Sequence, residues 1–361
     1  MLYHFILPLQ EYFSALRLFQ YITFRSAYSA LTALLIVLVF GRLVRRWLQN
    51  LKLREEIRTL GPESHQKKAG TPTMGGILIL GAVAVSVFLW GNFENLYFNT
   101  LIAGTLLFGL LGFVDDYIKV IKKRKGGLSA KGKLLMQILI SLGVVLVIYF
   151  NPSNASVSTQ LYLPFINSPV WDMDWIWIIF AVIVIVGSSN AVNLTDGLDG
   201  LAAGTVAIVA SVLGIMTYIT GHVKITEYLR LPYIAQSAEL TIFLAALLGA
   251  LLGFLWFNSN PASIFMGDTG SLGLGGAIGI VAVMIKKEVL LFLIGGIFVM
   301  EALSSIIQVL YYKFFKKRIF KMAPLHHHFE LSGWPEQKIV TRMLIVGVVL
   351  AILGLSSLKI L

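Results

Sequence analysis

The hydrophobic positions of this chain are gathered into long runs that short polar stretches separate. About 20 consecutive apolar residues make a helix long enough to cross a bilayer, and windows of about 19 residues locate such segments. Ten segments stand out, at 26–43, 74–90, 100–114, 134–150, 175–188, 201–219, 240–257, 272–285, 289–311 and 343–358. The pattern predicts an all-α polytopic integral membrane protein, with one transmembrane domain that covers residues 1–361.

The composition agrees with this class. Hydrophobic residues make up 57% of the chain and charged residues 13%, and the mean hydropathy is +0.82. The formal net charge is +11, and basic loops beside anionic headgroups explain this excess without a nucleic acid. We therefore expect membrane lipids, and no nucleic acid, among the partners.

The basic residues are divided unequally between the two sides of the predicted bundle. Of the 29 Lys and Arg residues, 22 fall in one set of alternate loops and 7 in the other set and the termini. Lys and Arg accumulate on the cytoplasmic side of membrane proteins. The division predicts that both termini are periplasmic and that five loops lie in the cytoplasm.

Five carboxylates lie at the ends of predicted spans on the cytoplasmic side: Asp115, Asp116, Asp196, Asp199 and Asp268. Acids beside the hydrocarbon are expensive unless a cation, a partner or water surrounds them. Each could be an unrelated solvated helix end, but the loops around the last three contain no Lys or Arg. Mg²⁺ is the simplest cation to hold such a set, because hard cations bind carboxylate oxygens.

The loops around the acids add groups that bind phosphate. Small residues in the segment 258–271 let a ligand approach backbone amides, which attract anions. In an earlier loop, Lys67 and Lys68 precede a Gly- and Thr-rich helix start. Acids for a metal, together with amides and Lys for phosphate, predict a phosphoryl-transfer site.

Three consecutive histidines, His326, His327 and His328, lie in the last cytoplasmic loop. Such a tract can bind zinc or be an expression scar. A scar would be terminal, and consecutive residues of a helix point in different directions. Contact with a substrate phosphate is the interpretation we favour.

Six strings in these loops carry a family resemblance: GTPTMGG, GFVDDY, NAVNLTDGLDGLA, GFLWFN, FMGDTGS and MAPLHHHFELSGWPE. Across essentially its full length the chain resembles the phospho-N-acetylmuramoyl-pentapeptide transferase (MraY) family. The acidic strings are similar to the wider superfamily that transfers sugar 1-phosphates to polyprenyl phosphate. The triple-His string with its Gly-Trp-Pro-Glu is similar to this family in particular.

The resemblance implies transfer of phospho-N-acetylmuramoyl-pentapeptide from UDP-N-acetylmuramoyl-pentapeptide to undecaprenyl phosphate at the bacterial inner membrane. The products would be lipid I and UMP, Mg²⁺ would be required, and a homodimer is a family expectation. By motif position, Asp268 resembles the main Mg²⁺ ligand, with Asp115 and Asp116 close to the metal and the lipid phosphate. The positions that resemble the substrate pocket are Lys68, Thr73, Asn193, Asp196, Asp199, Asn258, Phe265, His326, His327 and His328, with Phe265 as a platform for uracil.

Three questions stay open in the sequence. The first is the class of the protein. A sister transferase that moves N-acetylglucosamine 1-phosphate to the same lipid shares the acidic strings. A transporter is the other alternative, because transporters also have intramembrane acids. Asp115 could act as a base, or it could position the metal or the acceptor. Glu301, inside the ninth predicted span, has no assigned partner; it could face a neighbouring helix or a dimer contact.

Overall fold

The computed structural model describes residues 2–6, 8, 10, 13–51, 70–120, 126–166 and 168–358. Its α-helices, numbered α1 to α14 in chain order, are Leu2–Ile6, Ile22–Asn50, Gly76–Trp90, Leu96–Val120, Ala130–Phe150, Ile176–Thr195, Leu201–Thr220, Val223–Leu229, Leu240–Asn258, Gly267–Met284, Glu288–Ile294, Gly296–Phe315, Leu325–Glu330 and Glu336–Ser356. Within the described ranges, nine helical segments have the length and apolar composition of a membrane span, and α3 is a shorter apolar helix of 15 residues.

The prediction of an all-α polytopic membrane protein is confirmed, and every predicted span overlaps a helix. One predicted span differs from expectation, because the segment 289–311 is divided at Gly295 into α11 and α12. Two consecutive glycines, Gly295 and Gly296, occupy the break. Glycine is a poor helix former, and Gly-rich positions are common sites of kinks. The orientation of the termini stays a prediction.

Helix α10 lies at the centre of the bundle. It has the largest buried share of the spanning helices, at 89% of its apolar window, and it packs between α4 and α6. Glycines make this approach possible: Gly275 lies against the backbone of Ser188, and Gly276 lies against the ring of Phe108. Small residues allow such close packing where lipid offers no hydrophobic driving force. Helix α10, whose first turn carries Asp268, is therefore held closely between α4 and α6.

A polar network joins three helices near this end of α10. Gln137 of α5 is fully buried, and its Nε2 donates to Ser189 Oγ at 3.2 Å. Its Oε1 accepts from Asn190 Nδ2 at 2.9 Å, while Ser189 Oγ donates to the carbonyl of Leu272 at 3.2 Å. These bonds hold α6 against α10 one turn before Asn193.

The other end of α10 meets a small polar cluster and a hairpin. Strands β1 (Gln160–Leu161) and β2 (Trp171–Asp172) pair antiparallel between α5 and α6. Beyond α10, Lys286 Nζ lies 3.1 Å from Glu288 Oε1, which also accepts from Trp177 Nε1 at 3.1 Å. Burial lowers the pKa of Lys286, and the carboxylate of Glu288 opposes that shift. This pair closes the end of α10 that is remote from Asp268.

A second buried ion pair joins α2 to the start of α9. Arg25 Nη1 lies 2.5 Å from Glu239 Oε1, Arg25 Nη2 donates to Glu239 Oε2 at 3.0 Å, and both side chains are buried. Glu239 Oε1 also accepts from the backbone N–H of Asn92 at 2.7 Å. The carboxylate therefore connects α2, α9 and the loop that follows α3.

We expect Glu239→Gln to lower the free energy of unfolding by about 3–5 kcal/mol, because it leaves the Arg25 guanidinium buried without its counter-charge. The measurement is reversible unfolding of the purified protein in detergent. Glu227→Gln is the matched control at an exposed position and should change stability by less than about 0.5 kcal/mol. Equal stabilities of the two variants would contradict a structural role for the pair.

Candidate active site

Two aspartates and two lysines from three helices form one charge cluster. Lys119 Nζ lies 2.6 Å from Asp115 Oδ2 and 2.8 Å from Asp268 Oδ2. Lys133 Nζ lies 2.6 Å from Asp268 Oδ2 and 3.4 Å from Asp115 Oδ2. We name these four side chains the acid–lysine cluster. Each carboxylate contacts both ammonium groups, so two negative and two positive charges cancel at the end of the bundle.

Asp116 has a different environment from its neighbour Asp115. Its carboxylate accepts from the backbone N–H of Asp268 at 3.1 Å, and from the N–H and Oγ1 of Thr269 at 2.9 and 2.7 Å. The first N–H groups of a helix lack partners within the helix, and an anion there is favoured by the helix dipole. The N-cap residue of α10, Met266, makes no side-chain cap bond. Asp116 supplies that cap from α4 and thereby fixes the start of α10.

Two further contacts hold Asp268 in place. Gly112 of α4 packs so tightly on the backbone of Asp268 that a Cβ at this position would overlap the Asp268 carbonyl. On the other side, Asn193 Nδ2 donates to Asp268 Oδ1 and to Ser271 Oγ, both at 2.8 Å. The structure thus brings together four of the predicted site residues, namely Asp115, Asp116, Asn193 and Asp268.

The carboxylates of the acid–lysine cluster suit Mg²⁺. This ion is commonly held by one or two carboxylates together with substrate phosphates and water. The Oδ2 atoms of Asp115 and Asp268 converge on the same two ammonium groups, so two carboxylates at this position can share a cation. The described residues contain no group of three or more His, Cys, Asp or Glu side chains that could hold a metal. Substrate phosphates and water would add to the two carboxylates as ligands.

Thr73 and Phe265 lie beside the start of α10. The backbone N–H of Phe265 donates to the carbonyl of Pro72 at 2.8 Å, which pairs the loop before α3 with the loop before α10. Thr73 is buried next to Gly267, whose φ of +73° belongs to the left-handed region that favours glycine. The ring of Phe265 is half-buried. Lys68 lies outside the described residues.

Asn258 and Asp199 are bound to neighbouring loops. The side chain of Asn258 is buried; its Oδ1 accepts from the N–H of Gly200 at 3.0 Å, and its Nδ2 donates to the carbonyl of Ile264 at 2.9 Å. Asp199 Oδ2 accepts from Asn260 Nδ2 at 3.2 Å and from the N–H of residue 262 at 3.0 Å. These two predicted pocket residues connect the loop after α6 with the loop after α9.

The three histidines point in three directions, as expected for consecutive helical residues. His326 is buried, and its Nδ1 lies 3.1 Å from Glu301 Oε2. The opposite edge of its ring lies against Gly197, next to the half-buried Asp196. Glu301 therefore faces a neighbouring helix of its own chain, which was one of the two expectations for it.

The other two rings have separate partners. His327 Nδ1 lies 2.8 Å from Glu330 Oε2, and His328 Nδ1 accepts from the N–H of Lys321 at 3.2 Å. The histidines belong to the described residues, where no metal-binding group of three side chains occurs. The structure therefore gives no support to a zinc site in this tract.

The sequence pattern does not identify Lys119 and Lys133 as members of the site, because in the sequence they indicate only the orientation of the chain. The spacing of Asp115 and Lys119 is i, i+4 on one helix, where opposite charges meet, so this pair could have been predicted. Nothing in the local sequence relates Lys133 to Asp268, since 135 positions separate them.

The sequence of this chain is similar to known proteins over nearly its full length. A family model described as glycosyl transferase family 4 matches residues 98–286, and the phospho-N-acetylmuramoyl-pentapeptide-transferase signature 1 matches residues 68–80. The chain is 50% identical over 360 residues to the phospho-N-acetylmuramoyl-pentapeptide-transferase of Thermodesulfovibrio yellowstonii, with 99% of each chain covered. It is 49% identical over 354 residues to the enzyme of that name from Leptospira biflexa, with 96% of each covered.

The chain belongs to the phospho-N-acetylmuramoyl-pentapeptide transferase family. The predicted resemblance is thereby confirmed. The match to glycosyl transferase family 4 contains all four residues of the acid–lysine cluster, whereas Glu301 and the histidine tract lie outside both matched segments.

We expect Gly112→Ala to reduce both stability and turnover, because the added methyl group must displace Asp268 from Asp115. Overpacking of this kind costs about 1–3 kcal/mol. Gly81→Ala is the matched control, since Gly81 lies in α3 with nothing within 4 Å of an added Cβ. It should be neutral or stabilising by up to about 1 kcal/mol. Melting curves and UMP release would be measured on both variants, and equal behaviour would contradict the close approach.

Proposed function

We propose that this protein transfers phospho-N-acetylmuramoyl-pentapeptide from UDP-N-acetylmuramoyl-pentapeptide to undecaprenyl phosphate, releasing UMP and forming lipid I. The observation that carries the proposal is the acid–lysine cluster at one end of a membrane-spanning bundle, in a chain of this transferase family. Such a site can meet both reactants, because a polar head reaches it from water while the prenyl chain stays in the hydrocarbon. The reaction would be a membrane step of peptidoglycan synthesis.

Within this proposal Asp268 and Asp115 would hold Mg²⁺, and Asp116 holds α10 so that Asp268 stays opposite Asp115. Bound there, Mg²⁺ would supply positive charge against the phosphates of the two reactants. The convergent oxygens of Asp115 and Asp268 support this assignment. The three hydrogen bonds from the start of α10 support the role of Asp116.

The acceptor needs little help from a base. Its second phosphate pKa is about 6, so it is mostly dianionic at neutral pH. Asp115 Oδ1 accepts from the backbone N–H of Leu128 at 2.7 Å, and its Oδ2 contacts both lysines. Because both oxygens have these partners, we assign Asp115 to positioning the metal and the acceptor. The lipid phosphate would then attack the diphosphate directly.

The main barrier is repulsion between a dianionic lipid phosphate and a diphosphate. Preorganised positive charge lowers such a barrier, because the charges need no rearrangement at the moment of reaction. Lys119 and Lys133 bring two ammonium groups to the place where both anions would meet. The side chain of Lys119 is 36% exposed, which gives its ammonium group access to an incoming phosphate.

The remaining predicted residues would bind the UDP-linked donor. Phe265, half-buried beside the start of α10, would stack on uracil. Thr73, Asn193 and Asp196 would line the same pocket, and His327 and His328 would contact its outer part. Asn258 and Asp199 would shape the pocket through the loops that they connect.

The last part of the proposal is the location of the site in the cell. We place the acid–lysine cluster on the cytoplasmic face of the bacterial inner membrane, because most Lys and Arg residues fall in loops on that side. Dimerisation stays a prediction from the resemblance.

The direct test is release of UMP by the purified protein in detergent. Release should require UDP-N-acetylmuramoyl-pentapeptide, undecaprenyl phosphate and Mg²⁺ together, and chelation with EDTA should stop it until Mg²⁺ is restored. A second assay, with UDP-N-acetylglucosamine as the donor, distinguishes the proposed enzyme from the sister transferase. If that donor alone supports UMP release, the proposed substrate is wrong.

We expect Asp268→Ala to abolish UMP release, with a loss of at least about 100-fold, because it removes a metal ligand at the reacting phosphates. Asp172→Asn, at an exposed position of the remote hairpin, is the control and should keep full activity. Both proteins should elute as folded species. Full activity of a folded Asp268→Ala protein would refute the assignment.

A further inference from the structure

Glu301 is an acid inside a membrane-spanning helix. It lies in α12, and its side chain is 0% exposed. An ionisable residue in such a place is expensive and is a candidate for function. Among the described residues, His326 is its one ion-pair partner, with Oε2 3.1 Å from Nδ1. His326 is itself only 1% exposed, so each group is the main compensation for the other.

Because Glu301 and His326 are both buried, their net charge should be zero. This requirement determines whether Nε2, the ring nitrogen that faces away from Glu301, carries a hydrogen. A buried charge without a counter-charge is strongly unfavourable, which leaves two arrangements. Either Glu301 is ionised and the imidazolium carries a hydrogen on both nitrogens, or a protonated Glu301 donates to Nδ1 and the neutral ring carries its hydrogen on Nε2. In both arrangements Nε2 of His326 is a hydrogen-bond donor.

The Nε2 atom is directed at the loop of the candidate donor pocket. It lies against Gly197, between Asp196 and Asp199 in the chain, where a Cβ would overlap the imidazole ring. Within the described part of the chain, Nε2 is buried and has no hydrogen-bond partner. Buried donors are nearly always satisfied, so this atom is placed to meet an acceptor that a ligand brings.

We infer that Glu301 is a positioning residue that keeps His326 Nε2 as a donor toward an acceptor oxygen of the uridine nucleotide. The inference rests on the proposed function and extends it to a residue outside the matched family segments. Glu301 touches no substrate; its contact with Nδ1 fixes the orientation of the ring and determines that Nε2 carries a hydrogen. The oxygen belongs either to a phosphate or to a uracil carbonyl.

The test is a double-mutant cycle with two readouts, KM for the UDP-linked donor and the Kd of UMP. Glu301→Gln should raise both about 10- to 100-fold with a smaller change in kcat. The backbone N–H of His326 favours an amide oxygen at the position of Oε2, and this oxygen would accept from Nδ1–H and leave Nε2 of the neutral ring without its hydrogen. Glu301→Asp, which keeps a carboxylate, should recover part of the loss. His326→Gln presents an amide N–H at the position of Nε2 without needing Glu301. In that background, adding Glu301→Gln should cost less than about threefold.

Equal losses in both backgrounds would overturn the inference, because Glu301 would then act without His326. Glu288→Gln is the matched control. Glu288 is also 0% exposed and ion-paired, but it lies beyond the remote end of α10. It should lower the melting temperature while leaving KM and the Kd of UMP unchanged.

A second comparison avoids Glu301 altogether and applies if Glu301→Gln does not fold. His326→Gln should bind UMP within about threefold of the unsubstituted protein, whereas His326→Asn, whose amide reaches only the position of Nδ1, should lose about 10-fold or more. Equal affinities of these two variants would overturn the inference.

Three probes identify the acceptor oxygen. If Glu301→Gln weakens binding of UMP and pyrophosphate but not of uridine, the acceptor is a phosphate oxygen. If it weakens UMP and uridine alike, the acceptor is the base. Unchanged binding of all three contradicts the inference even when the unsubstituted protein is active, whereas an inactive unsubstituted protein counts against the proposed function itself.

Discussion

Cancellation of charge between two carboxylates and two ammonium groups is the interaction on which the site depends. Asp115 and Asp268 could not lie together at the end of an apolar bundle without cations, and Lys119 and Lys133 supply them. The same arrangement prepares the site for chemistry on phosphates. In the proposed function, the two carboxylates would hold Mg²⁺ and the two lysines would neutralise charge on the phosphates of the reactants.

The cluster exists because helix α10 is held on every side. Its glycines allow α4 and α6 to approach closely, Asp116 caps its first turn, and Gln137 fixes α6 against it through Ser189 and Asn190. Rigid elements carry a site more accurately than loops do. The candidate site is therefore positioned by the spanning helix with the largest buried share, at one end of the bundle.

Much of this arrangement could be predicted from the sequence. Apolar runs located every spanning helix among the described residues, since the length of a span is set by the thickness of the bilayer. The family motifs indicated the acids, and the alternation of spans predicted that they share one end of the bundle. What could not be predicted depends on contacts between distant segments. Lys133 meets Asp268 only because α5 and α10 converge on α4, and Asn258 turns inward to brace two loops. The break at Gly295 lies inside one apolar run, where hydropathy gives no signal.

The most direct test of the account is the Mg²⁺ concentration that gives half-maximal UMP release, compared between the unsubstituted protein and Lys119→Met. If this lysine occupies the carboxylates until Mg²⁺ displaces it, its removal should lower the Mg²⁺ requirement. If it also neutralises the reacting phosphates, maximal turnover should fall in the same variant. An unchanged Mg²⁺ requirement together with unchanged turnover would contradict the central place of the acid–lysine cluster.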